Sequence, residues 1–231
     1  MAGNQATDRL RSFGRRRTKR LQGKRKECLE TALPDFLIPQ EGERSWDLRA
    51  LFPAPPATLC MEIGFGGGEH LAAQAMAHPE AGYIGCEPFL DGVAKLLAII
   101  QQQQLTNIRL WPEDVRLLLE RLPDATLDKV FILFPDPWPK LRHHKRRLIN
   151  AALLDMLART LKPGGELLLA TDHAGYAEWM LQHMLVDERF FWTAREPEDF
   201  TRPPEGWVET RYQQKAQKEG RAACFLLFKK Q

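Results

Sequence analysis

Short apolar runs alternate with longer segments of helical periodicity over most of the chain, and this alternation limits the possible folds more than any other feature. We predict strands at residues 58–63, 82–86, 107–111, 127–134, 166–170, 190–193 and 223–229. We predict helices at residues 69–77, 90–104, 115–122, 148–161 and 176–186. Strands that are joined by helices of about ten or more residues pair in parallel, and strands that are apolar throughout are buried on both faces. The sequence therefore predicts an α/β fold in which a doubly wound, mostly parallel, seven-stranded sheet carries helices on both faces.

The N-terminal region differs from the rest of the chain in its charge. Residues 1–30 carry ten Lys and Arg residues against three acidic residues, whereas the whole chain of 231 residues has a net charge of only +3. We predict a basic, flexible arm at residues 1–33, which a partner would order, and a single domain at residues 34–231. A basic arm on a mildly acidic body suggests a polyanionic partner, and a solvated tail is the alternative.

The composition gives no support for a metal centre, a disulfide framework or a membrane segment. No C-x-x-C pair occurs among the four cysteines, which are Cys28, Cys60, Cys86 and Cys224. His143 and His144 are adjacent, which is not a metal-ligand spacing. No apolar run reaches the roughly 18 residues of a membrane span, and the N-terminus lacks the apolar stretch of a signal peptide. We therefore expect no metal, no membrane contact and a cytoplasmic location, and we favour a monomer over a dimer.

A glycine-rich loop at residues 64–68, here called the glycine loop, follows the first predicted strand and opens a helix. Gly64, Gly66 and Gly68 let the chain turn tightly and let a ligand approach the backbone. The loop does not match the dinucleotide pattern G-x-G-x-x-G, because Glu or Leu stands where the last glycine is required. It matches no P-loop either. The loop predicts a small ligand other than a dinucleotide, and a bare turn is the alternative.

Three acidic residues stand at the ends of successive predicted strands, namely Glu62, Glu87 and Asp114. A carboxylate at Glu62 disfavours a pyrophosphate and suits a ligand with a cationic end, such as S-adenosylmethionine. Glu87 lies where a carboxylate accepts hydrogen bonds from both ribose hydroxyls, and Asp114 is suited to accept one from the adenine amine. Each acid alone could instead cap a helix, but three at successive strand ends favour a ligand site.

Residues 134–140, here called the proline segment, combine an acid, an indole and three prolines. Because residues before proline are pushed out of the helical region, we predict that the segment is extended and presents Asp136 and Trp138 with little freedom. Trp138 could stack on a base, an interaction worth about 1–3 kcal/mol. Ordinary packing is the alternative for this indole.

A basic run at residues 141–147 follows the proline segment. Four of its cations, Arg142, Lys145, Arg146 and Arg147, precede or begin a predicted helix, where cations oppose the helix dipole. An external phosphate explains such a cluster better than stability does. Lys140 lies between Asp136 and this cluster and could reach a substrate ribose or phosphate.

Two further segments carry candidate side chains. Asp172 follows the fifth predicted strand, where it could face a substrate or cap the next helix. Residues 210–213 read as a polar surface stretch when taken alone.

Together these motifs closely resemble those of the bacterial tRNA (guanine-N7)-methyltransferases. The resemblance is carried by Glu62-Ile-Gly-Phe-Gly-Gly-Gly-Glu-His-Leu71, Pro135-Asp-Pro-Trp-Pro-Lys140, Arg142-His-His-Lys-Arg-Arg147, Thr210-Arg-Tyr212 and the arm motif Ser12-Phe-Gly-Arg-Arg16. It implies a Rossmann-like methyltransferase fold and S-adenosylmethionine as the methyl donor. It also implies that the substrate is the N7 atom of guanine 46 in the variable loop of tRNA.

The resemblance also implies a role for each matching residue. Cofactor binding falls to Glu62, Gly64, Gly66, Gly68, Glu87, Asp114 and Asp136, and catalysis to Asp136. Substrate binding falls to Lys140, Asp172, Thr210, Arg211, Tyr212 and Gln213. RNA contacts fall to Arg142, His143, His144, Lys145, Arg146, Arg147, Arg15 and Arg16. The sequence departs from the family at Gln213, where a Glu is usual, so an amide without charge stands there. A non-catalytic RNA-binding protein on the same fold is the alternative function, and a methyltransferase for a small molecule or a protein is a third.

Overall fold

The computed structural model describes residues 23–39 and 47–231, and these form a seven-stranded sheet with helices on both sides. The strands are β1 Leu59–Ile63, β2 Gly82–Cys86, β3 Ile108–Trp111, β4 Leu127–Leu133, β5 Leu161–Thr171, β6 Phe190–Trp192 and β7 Cys224–Lys230. The helices are α1 Lys24–Thr31, α2 Leu33–Phe36, α3 Glu69–Ala77, α4 Leu90–Gln103, α5 Val115–Leu119, α6 Ala151–Thr160, α7 Ala174–Leu185, α8 Glu198–Thr201 and α9 Arg211–Lys218. Two 3-10 helices lie at Leu48–Leu51 and Leu141–Arg146.

The strand order is β3-β2-β1-β4-β5-β7-β6, and all pairs are parallel except those that β7 makes with β5 and β6. The predicted fold class is therefore confirmed. The order reverses between β1 and β4, because the chain first builds outward to β3 and then returns. In such a sheet, ligands bind outside the carboxyl ends of the strands at the point of reversal.

Each face of the sheet has its own apolar core. In β1, Leu59 and Met61 belong to the cluster that holds α6 and α7, whereas Cys60 belongs to the cluster that holds α3 and α4. This division follows from the strand period of two, which sends neighbouring side chains to opposite faces. The predicted helices on both faces are confirmed.

Part of the predicted arm is a helix in this structure. Helix α1 packs against α4, and Arg25 Nη1 lies 2.6 Å from Asp91 Oδ1. Residues 23–33 therefore contact the domain, whereas residues 1–22, with Arg15 and Arg16, lie outside the described residues. The division into a flexible arm and a domain stays a prediction.

Two predicted boundaries around α6 were wrong. The helix begins at Ala151 rather than at residue 148, because Asn150 caps it and accepts a hydrogen bond from Leu153 N at 3.1 Å. It ends at Thr160, and β5 begins at once with Leu161 paired to Leu127. The residues Pro163, Gly164 and Gly165 lie within β5 at a register shift between β4 and β5, as is usual for proline and glycine in a bulge.

Two features are absent from the described part of the chain. None of its helices is long and apolar enough to cross a membrane. Among the same residues, no group of three or more His, Cys, Asp and Glu side chains is placed to hold a metal ion.

Candidate active site

The glycine loop is shaped by its glycines at the carboxyl end of β1. Gly64, Gly66 and Gly68 all have positive φ angles, of 76°, 58° and 80°. The loop also packs tightly on α4, where a Cβ added to Gly92 would lie 2.1 Å from the carbonyl oxygen of Gly66. Both the conformation and the close approach require glycine.

Glu87 fixes this loop from the end of β2. Its Oε2 atom accepts a hydrogen bond from Gly66 N at 2.9 Å, and its Oε1 atom accepts one from Phe89 N at 2.9 Å. Burial raises the pKa of Glu87 above its usual range, the two N–H donors oppose the rise, and the charges of Asp136 and Glu62 add to it. A carboxylate has about four lone-pair sites, so each oxygen retains one for the hydroxyls of a ribose.

Glu62 is buried beside His70, whose Nδ1 atom lies 2.8 Å from Glu62 Oε2. The imidazole ring sits between two aromatic rings, with centroid distances of 4.9 Å to Phe131 and 5.1 Å to Trp207. Sequence patterns do not indicate that His70 and Trp207 belong to the site, because the partners of these residues are distant in the chain. The strand-end position of Glu62 was visible, but its orientation depends on these contacts.

Asp114 serves as the N-cap of α5 and accepts hydrogen bonds from Arg116 N at 3.0 Å and from Arg116 Nη2 at 2.6 Å. It is also buried at the end of β3. The helix-capping alternative therefore holds for this residue in the structure. Its predicted contact with adenine stays a prediction.

The proline segment is not extended throughout, which corrects the prediction for its backbone. Phe134 and Trp138 have φ angles of 51° and 42°, in the left-handed region that bulky residues rarely adopt. Phe134 is still tied to the sheet, because its N–H donates to the carbonyl of Ala170 at 2.8 Å. Asp136 is exposed beyond the end of β4, and Trp138 is half-buried. Such backbone strain is typical of functional sites.

The basic run forms the second 3-10 helix and ends before α6 begins, so its cations do not lie in the first turn of that helix. The contact of these cations with phosphate stays a prediction. Lys140, Arg142 and Lys145 are exposed, whereas His143, His144 and Arg146 are half-buried. The Arg146 guanidinium lies 4.9 Å from the centre of the Trp138 ring. Arg147 is buried and its guanidinium is therefore not open to RNA in this structure, contrary to its predicted role.

Helix α9 covers the glycine loop, which the sequence did not reveal because α9 is polar and has no apolar stripe. Arg211 Nε lies 2.5 Å from Glu69 Oε1, and a Cβ on Gly66 would lie 3.2 Å from Tyr212 Cε2. Thr210 is the N-cap and accepts from Gln213 N at 3.1 Å. The Gln213 side chain is buried, and its Oε1 accepts from Trp207 Nε1 at 2.6 Å. The amide oxygen of Gln213 thus has a partner within the protein, and its predicted contact with the substrate stays a prediction.

Asp172 does not cap α7, since His173 occupies the N-cap and its Nδ1 accepts from Tyr176 N at 3.2 Å. Asp172 Oδ2 instead accepts from Arg221 Nε at 2.7 Å. This ion pair joins the end of β5 to the segment after α9. The capping alternative for Asp172 was wrong.

The residues at the ends of β1, β2 and β4 fit the S-adenosylmethionine that the resemblance implies. Burial raises the pKa of Glu87, the charges of Asp136 and Glu62 both add to the rise, and such a group of acids favours a ligand that carries positive charge. The glycine loop offers a backbone that a ligand can approach closely, since its glycines present no side chain. Carboxylates at the end of β2 match ribose hydroxyls.

Comparisons with known proteins agree on one class. Residues 56–226 match the model of a family described as "Putative methyltransferase". The chain is 51% identical over 228 residues to the tRNA (guanine-N(7)-)-methyltransferase of Rhodospirillum rubrum, covering 97% of this chain and 89% of the relative. It is 44% identical over 216 residues to the enzyme of the same description from Agrobacterium fabrum, covering 94% and 93%. Among solved structures, the 16S rRNA methyltransferase KamB shares the fold at 16% identity, with a TM-score of 0.53 over 76% of this chain and 88% of that one.

Proposed function

Because the chain belongs to the tRNA (guanine-N7)-methyltransferase family, we propose that it methylates N7 of guanine 46 in the variable loop of tRNA. The observation that carries the proposal is the meeting of segments that are far apart in the sequence. Tyr212 of α9 lies against the glycine loop, where a Cβ added to Gly66 would be 3.2 Å from its Cε2 atom. Burial raises the pKa of Tyr212, and the charges of Glu87 and Asp136 raise it further, which supports a position for the proline segment near the same surface. The methyl group comes from the sulfonium of S-adenosylmethionine.

The cofactor-binding part of the proposal rests on strand ends. Glu87 holds the ribose hydroxyls while it fixes Gly66, and Glu62 faces the cationic end of the ligand. Asp114, at the end of β3 and the start of α5, would accept from the adenine amine. Gly64, Gly66 and Gly68 give the ligand its close approach to the backbone.

Methyl transfer to guanine N7 requires correct positioning of the guanine and a nearby negative charge, and it requires no general base. Guanine N7 carries a lone pair and no proton, so Asp136 has no proton to remove. Positive charge develops on the purine as the methyl group is transferred, and a fixed carboxylate stabilises that charge. We assign Asp136 the task of orienting the guanine in line with the methyl group and facing the charge that forms.

The RNA partner follows from the charges around the cleft. Lys140, Arg142 and Lys145 are exposed cations that follow Asp136 in the chain, and contacts of such cations with phosphate dominate affinity for nucleic acids. The proposed surface includes His143, His144 and Arg146, and it includes Arg15 and Arg16 outside the described residues. The substrate residues are Lys140, Asp172, Thr210, Arg211, Tyr212 and Gln213. A monomer in the cytoplasm is part of the same proposal.

The proposed reaction is tested with labelled S-adenosylmethionine and transcribed tRNA. We expect label in 7-methylguanosine, recognised by its alkali-labile glycosidic bond, and no label in a transcript whose guanine 46 is replaced by adenine. Label elsewhere in that transcript would contradict the position and leave the N7 chemistry intact. An absence of label in every tRNA would favour the non-catalytic RNA-binding alternative.

A further inference from the structure

Arg147 stands apart from the other cations of the basic run. Arg147 is only 4% exposed, whereas Arg142 and Lys145 are exposed to solvent. A buried cation is costly unless its N–H groups are satisfied. What Arg147 contacts therefore indicates what it does.

The guanidinium bridges the proline segment and α7. Arg147 Nε donates to the carbonyl of Pro137 at 2.9 Å, and Nη1 donates to the carbonyl of Gly175 at 3.4 Å. The group also lies 5.1 Å from the Tyr176 ring centre and 4.9 Å from the Trp179 ring centre. Two carbonyls and two aromatic faces are thus its partners, and the described residues offer it no ion pair.

The same two rings anchor the residues that follow Arg147. The Tyr176 hydroxyl accepts from Ile149 N at 3.4 Å, and Trp179 Nε1 donates to Ile149 O at 2.7 Å. Arg147 and Ile149 are therefore both fixed to α7. This explains why the chain stays outside the helix until Asn150 caps α6.

The carbonyl that Arg147 binds lies at the centre of the proline segment. Pro137 separates Asp136 from Trp138, and Trp138 has a φ angle of 42°. A bulky residue holds such a conformation only where its surroundings enforce it. The hydrogen bond from Arg147 Nε acts on the neighbouring peptide and supplies that restraint.

We propose that Arg147 is a positioning residue, which holds Asp136 and Trp138 against α7, and that it makes no contact with RNA. The proposal rests on the proposed function, because it gives Asp136 the methyl-transfer role. According to this proposal, the exposed cations of the basic run contact phosphate, whereas the buried Arg147 fixes the backbone of the proline segment. Arg is suited to the inner position, since its planar fork binds two carbonyls and stacks on rings, which Lys does not do.

The test compares Arg147→Lys and Arg147→Met with the matched pair Arg142→Lys and Arg142→Met. For Arg147→Lys, we expect kcat to fall about tenfold, the loss of roughly one hydrogen bond, with an unchanged salt dependence of tRNA binding. Arg147→Met should lose more, because Lys retains one donor for Pro137. Arg142→Met should instead raise KM for tRNA and lower the salt slope by about 0.7–0.9.

Amide hydrogen exchange tests the same proposal without RNA. We expect faster exchange at Phe134 and His143, whose amides donate to Ala170 O and Lys140 O at the two ends of the proline segment, in both Arg147 variants. Exchange in the glycine loop should be unchanged, and the Arg142 variants should show no difference. Wild-type kcat and exchange in Arg147→Lys, or a salt slope that falls as in Arg142→Met, would overturn the proposal. If Arg147→Met does not fold, Arg147→Lys decides. A wild-type protein that makes no 7-methylguanosine would defeat the proposed function, while exchange would still test the restraint.

Discussion

The conformation of the glycine loop is maintained mainly by main-chain groups, whereas the proline segment is restrained by side chains that are distant in the sequence. The loop is fixed by positive φ angles and by the hydrogen bond from Gly66 N to Glu87. Asp136 and Trp138 depend instead on Arg147 and on the rings of α7. The cofactor end of the site, at the glycine loop, is thus fixed by its position at the carboxyl end of β1. The substrate end, at the proline segment, is fixed by a few side-chain contacts. Substitutions at the two ends should therefore separate binding of the cofactor from methyl transfer to RNA.

The largest separation is expected for Asp136→Asn. Asn keeps the shape of the side chain but removes the charge that faces the purine, so kcat should fall by about 10²–10³-fold. Asp136 is exposed and outside the loop, so affinity for S-adenosylhomocysteine should stay within about tenfold, a difference of roughly 1.4 kcal/mol. Single-turnover methyl transfer and calorimetry measure the two quantities.

The matched control for this variant is Asp124→Asn, in an exposed residue that is paired with Arg159 away from the cleft. It should keep both the rate and the affinity. Normal turnover by Asp136→Asn would show that another group stabilises the positive charge that develops on the purine, and the proposed role of Asp136 would be abandoned.

The contrast between the two ends also explains which parts of the site were predictable. Glu62, Glu87 and Asp114 could be chosen as candidates because acidic residues at the ends of apolar strands are visible in the sequence, and their roles in binding the cofactor stay predictions. The burial of Arg147 was not visible, because its partners Pro137 and Gly175 are brought together only by the packing of α7 on the sheet. Patterns that repeat along the chain reveal elements, whereas single contacts across the fold leave no local signal.

The boundaries that failed have the same cause. The apolar residues at 148 and 149 fit the stripe of α6, yet Ile149 is bound through its backbone to Tyr176 and Trp179. Helix α9 escaped prediction because its buried residues are Gln213 and Ala216, which form no apolar pattern. In both places tertiary contacts, rather than local preference, decided the structure.

The second prediction concerns Glu87→Gln at the cofactor end. The amide would place an NH2 group against a backbone N–H and would remove a charged acceptor, a loss of about 1.5–3 kcal/mol. Affinity for S-adenosylhomocysteine should therefore fall about tenfold to a hundredfold, while tRNA binding without cofactor should be unchanged. Glu80→Gln, in an exposed residue near the opposite end of β2, is the control and should bind normally.

The pH dependence of that affinity identifies the charge of Glu87 as the cause. Burial raises the pKa of Glu87, so the carboxylate takes up a proton in a window that begins above its usual value of 4.5. Affinity should fall by up to about tenfold per pH unit below the raised pKa, and Glu87→Gln should lack this step. The stability of the fold depends on pH in the opposite direction, because the folded state binds this proton more tightly than the unfolded state. The unfavourable contribution of the buried Glu87 charge to stability therefore disappears as the pH falls. A wild-type titration without the step would contradict the assignment.

The third prediction concerns the indole at the substrate end. Trp138 is half-buried, with the Arg146 guanidinium 4.9 Å and the His143 ring centre 5.8 Å from the centre of its ring. Trp138→Ala should raise KM for tRNA about tenfold, within the range for one stacked base of about 1–3 kcal/mol. Trp138→Phe keeps a ring and should recover most of the affinity. The salt slope should stay constant in both, since no charge is lost, and equal KM values for Ala and Phe would show that Trp138 only packs.

The smallest effect is expected where the two ends meet, at Trp207. Trp207→Phe keeps a ring against His70 and Phe225 but removes the donor to Gln213 Oε1, worth about 1 kcal/mol. Because Gln213 lies at the start of α9 and His70 contacts Glu62, KM for tRNA should rise a few fold and cofactor affinity should change by less than about twofold. Trp192→Phe is the matched control, since Trp192 Nε1 has no hydrogen-bond partner among the residues that the structure describes. A loss of cofactor affinity as large as the loss of tRNA affinity would mean that Trp207 supports Glu62 through His70. Substitutions at Trp207 would then not separate cofactor binding from tRNA binding.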